Sequence, residues 1–112
     1  MRHWPQARAQ AALAATLCLA ALPCGAAEPA AGRQKAQACA VCHGALGLSV
    51  TPDAPNLAGQ PALYVATQLR AYRSGKRAHE VMAVMAKPLS DDDIRELADW
   101  YASLVVEVKA PP

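Results

Sequence analysis

The chain has 112 residues, with 11 Lys and Arg against 9 Asp and Glu for a formal net charge of +2, and it contains no Phe. That length allows one domain at most, and a charge so close to balance excludes the strongly basic surface that nucleic-acid binding requires. With two Trp and three Tyr as its only aromatic residues, a small core must be filled by aliphatic side chains or by a group that is not protein.

The N-terminal segment reads first. Met1–Arg8 carries Arg2, His3 and Arg8 and no acid, Ala11–Leu22 is a short apolar run, and Cys24, Gly25, Ala26 and Ala27 follow Pro23. Charge, then an apolar run, then small residues is the order of a secretory signal peptide. An uncleaved anchor is the competing reading, but the run falls short of the roughly 20 residues that a membrane span needs. Lipidation of Cys24 is a weaker reading, because Pro23 stands where a small residue is usual. The expectation is therefore a signal peptide over residues 1–27 and one folded domain over residues 28–112, exported to the periplasm and without a stable membrane span once the signal is removed. The domain would hold equal numbers of basic and acidic residues, so the net charge belongs to the signal.

Ala30–Cys42 is rich in Ala and predicts a short helix, with Gln34 and Lys35 facing outward. It runs into Cys39-Ala40-Val41-Cys42-His43, a C-x-x-C-H pattern. Two thiols at this spacing can add across the two vinyl groups of a haem, and the adjoining imidazole can then reach the iron from the same side. Three other readings compete. A thioredoxin-like pair would want a surrounding βαβ pattern. A zinc site would want a second pair of ligands. A disulfide would suit an exported domain. The export signal and the residues downstream favour one covalent haem c.

Gly44–Asn56 holds Gly44, Gly47, Pro52 and Pro55 and reads as loop. Pro61 suits the first position of a helix that runs over Ala62–Ser74, with Ala62, Val65, Leu69 and Tyr72 at helical spacing and Gly75 as the stop. Lys76–Leu89 shows little periodicity and is expected to be loop. It contains His79, Met82 and Met85, the three candidates for the far side of a haem iron. A thioether partner opposite His raises the reduction potential. Met82 and Met85 are three apart, so one is expected to ligate and the other to pack, while His79 reads as a solvated loop residue. Ser90 caps a last helix, with Asp91, Asp92 and Asp93 in its first turn and Ile94, Leu97, Ala98, Tyr101 and Leu104 as its apolar face. Arg70, Arg73, Lys76 and Arg77 are either a docking patch for an acidic partner or a solvated face, and the solvated face is the preferred reading. Asp91, Asp92 and Asp93 need nothing beyond helix capping. Three helices joined by two long loops around a central C-x-x-C-H suit a chain wrapped about a large apolar disc.

Several motifs in order resemble the class I bacterial cytochromes c. They are Cys39-x-x-Cys42-His43-Gly44, Pro55-Asn56-Leu57-Ala58-Gly59-Gln60, Tyr64-x-x-x-Gln68-Leu69-x-x-Tyr72-x-x-Gly75-Lys76-Arg77, Met82-x-x-Met85, and Leu89-Ser90-Asp91-Asp92-Asp93-Ile94 through to Trp100-Tyr101. The pattern is similar to one half of the dihaem cytochrome c4 type and to the monohaem cytochrome c-553 type. The resemblance implies an all-α class I fold around one covalent haem c held by Cys39 and Cys42, with His43 as proximal and Met82 as distal iron ligand. It implies that the Pro55 carbonyl accepts the proton of His43, and that Gly32 lets the first helix cross the last beneath Trp100, with Tyr101 beside it. Two strong axial ligands leave no open position for substrate, so the implied role is an electron carrier and not an enzyme. Its partners would be a donor dehydrogenase or membrane complex and an acceptor oxidase or reductase. The alternative is a haem-carrying subunit of a larger exported oxidoreductase. The chain has a single C-x-x-C-H, unlike the dihaem members, which leaves its pairing open.

Overall fold

The structure, a computed structural model, describes residues 29–112, and the expected signal peptide lies outside the described residues. Helix α1 spans Pro29–Lys35, a 3-10 turn spans Ala36–Ala38, α2 spans Ala40–His43, α3 spans Ala62–Ser74, α4 spans Glu80–Ala86 and α5 spans Asp91–Ser103. Among the described residues none is in a strand.

The first helix departs from expectation. It is broken by the 3-10 turn, where the Cys39 N–H donates to Ala36 O at 3.0 Å before α2 resumes. Ala36, Gln37 and Ala38 carry no side chain that distinguishes the two ladders, so the break is invisible in the residues. Helix α3 has the expected bounds. Pro61, expected inside its first turn, is instead its cap, with φ −56° and ψ 133°, a difference within the ordinary blur of helix ends. Gly75 closes α3 at φ 79°, the left-handed conformation that glycine adopts without cost.

Helix α4 lies where loop was expected. At seven residues it is too short to display a period, and Pro88, just beyond it, stops the helix. Helix α5 begins on a full capping box: the Asp93 N–H donates to Ser90 Oγ at 3.1 Å and the Ser90 N–H donates to Asp93 Oδ2 at 2.8 Å.

Helices α1 and α3 both pack on α5. The shared core is Ala36, Val65, Ala66, Ile94, Leu97, Ala98, Trp100 and Tyr101, so four of the five expected apolar positions of α5 are buried. The fifth, Leu104, is half-buried just past the helix end. Gly32 sits where α1 meets α5. A Cβ there would run into Glu96 O and lie 2.6 Å from Trp100 Cβ.

The acidic triplet does more than cap. Lys35 Nζ lies 2.6 Å from Asp93 Oδ1 and 3.4 Å from Glu96 Oε2, tying α1 to α5. Arg73 donates to Leu89 O at 2.8 Å and to Asp91 Oδ1 at 2.6 Å, tying α3 to the start of α5. Arg77 donates to Gln68 Oε1 at 2.6 Å and lies over the Tyr72 ring at 4.7 Å. Arg70 Nε also lies 3.8 Å from Asp91 Oδ1, so three of the four clustered cations are tethers of the fold.

Lys35 foremost, then Ser90, holds the Asp93 carboxyl well below the usual carboxylate range, and Arg73 lowers Asp91. A depressed folded-state pKa stabilises the native chain above the unfolded value of about 4 and loses that contribution as pH falls below it. The urea midpoint is therefore expected to fall from about pH 4 downward. Asp93→Asn should flatten that fall, because Asn can still cap but cannot titrate; an equally steep fall in the variant would contradict the assignment.

Candidate cofactor site

Cys39 and Cys42 stand one helical turn apart, so their side chains share a face. Both are half-buried and unpaired. Burial pushes the Cys39 thiol up, opposed by the neighbouring Tyr101 hydroxyl. A raised thiol is the reverse of what a thioredoxin-like nucleophile needs. No group of three or more His, Cys, Asp or Glu side chains gathers as a metal cluster among the described residues.

His43 ends α2 and is buried, with 7% of its surface exposed. Its Nδ1 lies 2.8 Å from Pro55 O. A carbonyl only accepts, so the bond requires the proton on Nδ1. The neutral ring then carries its lone pair on Nε2, the state in which imidazole binds a metal.

The loop between them is built to bring Pro55 back. Gly44 turns the chain out of α2 at φ 78°, and a Cβ on it would collide with Leu48 O. The Val50 N–H returns to Cys42 O at 3.0 Å. The Leu57 and Ala58 N–H groups both donate to Gly47 O, at 2.7 and 3.0 Å. The Ser49 N–H donates to Asn56 Oδ1 at 2.7 Å, closing the loop beside Pro55, and the Gly59 N–H donates to Tyr101 O at 2.8 Å, fastening it to α5. Asn56 carries no local signal of this role, because a lone Asn in a Pro-rich loop signals a turn but not its partner.

Met82 and Met85 both lie on α4, Met82 half-buried and Met85 38% exposed. Leu46, Leu48 and Val50 in the loop and Val81 and Val84 on α4 are exposed apolar residues on the same segments that carry the candidate ligands. Two free thiols a turn apart, an imidazole with a free Nε2, a thioether and apolar flanks are the donor set and lining that a haem requires.

The cytochrome c family profile matches residues 29–104. The chain belongs to the cytochrome c family. It is 42% identical over 79 residues to cytochrome c-554(548) of Halomonas halodenitrificans, covering 68% of this chain and 95% of that one. It is 44% identical over 85 residues to a thiosulfate dehydrogenase electron acceptor of Thiomonas intermedia, covering 74% of this chain and 39% of that protein. The crystal structure of reduced recombinant cytochrome c4 from Pseudomonas stutzeri superposes with a TM-score of 0.67 at 34% identity, over 74% of this chain and 48% of that chain. The chain thus spans about half of that cytochrome c4 and nearly all of cytochrome c-554(548).

Membership bears out three expectations. The fold is the all-α class I cytochrome c fold. The cofactor is covalently bound haem c. The role is haem-based electron transfer, by a carrier and not an enzyme. No helix among the described residues is long and apolar enough to cross a membrane.

Proposed function

We propose that Cys39 and Cys42 bind the haem through thioethers, that His43 Nε2 and Met82 Sδ are the two iron ligands, and that the protein shuttles single electrons in the periplasm. The observation that carries this reading is the 2.8 Å bond between His43 Nδ1 and Pro55 O. It selects the neutral tautomer that ligates through Nε2, orients the ring and makes it a stronger donor. When bound, the haem supplies a reversible one-electron couple. The chain's own part is to change little between the two states. His43 is held by a loop that is itself cross-bonded, and Met82 by a helix. A soft thioether and an apolar lining both favour the reduced, less charged state.

Export is supported by the signal-like order of charge and apolar residues in 1–27. The partners would be a donor dehydrogenase or membrane complex and an acceptor oxidase or reductase. A second reading is a haem-carrying subunit of a larger exported oxidoreductase, favoured by the likeness to a protein named as the electron acceptor of thiosulfate dehydrogenase. A redox titration of the holoprotein, followed by its absorption spectrum, tests the proposal. One electron per chain, with no carbon monoxide binding to the reduced form, is the expected result.

A further inference from the structure

Met82 stands on a helix of seven residues, and a helix that short does not hold itself: nucleation costs more than two turns of hydrogen bonds return. Something outside α4 must fasten it. At its C-terminal end Ala86 is fully buried. At its N-terminal end no residue from Ser74 to Val81 is buried, so burial does not fasten that turn.

The fastening there is His79. Its backbone is extended, with φ −166° and ψ 124°, and its carbonyl accepts the Ala83 N–H at 2.9 Å. Its Nδ1 accepts the N–H of Met82 itself at 3.2 Å. This is the capping role usually filled by Ser, Thr, Asp or Asn. The imidazole ring in turn meets Tyr72 of α3 edge-on, with ring centroids 6.2 Å apart and planes at 77°. Arg77 covers Tyr72, and the Arg77 N–H donates to Ala71 O at 3.1 Å. A continuous set of contacts therefore runs from α3 through Tyr72 and His79 to the backbone of Met82.

We infer that His79 is a positioning residue for Met82: by accepting the N–H of Met82 it holds the first turn of α4 in place and keeps the thioether on the iron. This rests on Met82 being the distal ligand. Without the cap the first turn frays, and the residue that frays is the one bearing the sulfur. Met82 then leaves the iron more readily, although neither proposed iron ligand has been changed.

Imidazole added to the ferric holoprotein reads this directly. The bond between Met82 Sδ and iron breaks, a bond between imidazole nitrogen and iron forms, and the iron stays ferric. Loss of the far-red Met-to-iron absorption band follows the exchange. In His79→Ala the apparent imidazole affinity is expected to rise about fivefold, the size of a typical lost cap. His79→Asn, whose side-chain oxygen can cap, should return most of the way to wild type. A purely structural role would lower the melting temperature of His79→Ala and leave its imidazole affinity alone.

Wild-type affinity in His79→Ala, or an Asn variant as labile as the Ala variant, overturns the inference. Met82→Ala separates the two levels. If the far-red band survives in Met82→Ala, the ligand assignment itself fails and the positioning role with it. If the band is lost there while His79→Ala behaves as wild type, the ligand assignment stands and the positioning role falls.

Discussion

Gly32→Val is expected to destabilise the holoprotein by about 3 kcal/mol, the upper end of the usual cost of overpacking. The reason is where the clash falls. A Cβ at Gly32 meets the Glu96 carbonyl oxygen and Trp100 Cβ. The first is backbone, and the second is fixed to backbone, so neither can swing aside. The two helices must separate, and Trp100, Leu97 and Ala98 lose their packing together. Gly32→Ala is the sharper form of the test. Alanine in a helix interior gains about 1 kcal/mol over glycine in propensity, so an unobstructed site would become more stable. Here the collision outweighs that gain, and the melting temperature should fall. An alanine variant at or above wild-type stability would show that α1 and α5 do not cross at Gly32. Lys35, one turn further along α1, bonds to Asp93 and Glu96. It should not rescue the variant, because an exposed ion pair contributes well under the cost of the clash.

Met82→Ala should abolish the far-red band, convert the ferric iron from low spin and let the reduced protein bind carbon monoxide. The potential should fall by something on the order of a tenth of a volt or more, since axial ligands move haem potentials over a range of about 0.8 V. Met85→Ala is the matched control. Met85 is on the same helix, three residues on and more than a third exposed, so its loss should leave the band in place. If the two variants exchange behaviour, Met85 is the ligand. If neither loses the band, the sixth ligand lies elsewhere.

The parts of this protein legible from sequence are those whose causes are local. C-x-x-C-H fits its chemistry into five consecutive residues. Helix α3 announces itself by spacing and by Gly75, and α5 by Ser90 with Asp93 three residues on. Pro55 is a different case. Its bond to His43 spans twelve positions, and nothing in either residue alone names the other; only the resemblance linked them. Helix α4 escaped because its stability is not its own. Its cap is a histidine, which does not read as a helix start, and what fastens that histidine is an aromatic ring on α3. Arg73 and Arg77 escaped for the same reason. As a sequence they are a run of surface charge, and their partners Leu89, Asp91, Gln68 and Tyr72 come together only through the fold.

In the function proposed above, Cys39, Cys42, His43 and Met82 hold one covalent haem that exchanges single electrons. A redox titration of the holoprotein, with the haem also assayed in alkaline pyridine after acid extraction, decides this. The expected result is one haem per chain that stays with the protein through extraction, a low-spin spectrum in both states and a one-electron Nernst slope without carbon monoxide binding. Haem that extracts freely, or a reduced form that binds carbon monoxide, would contradict it.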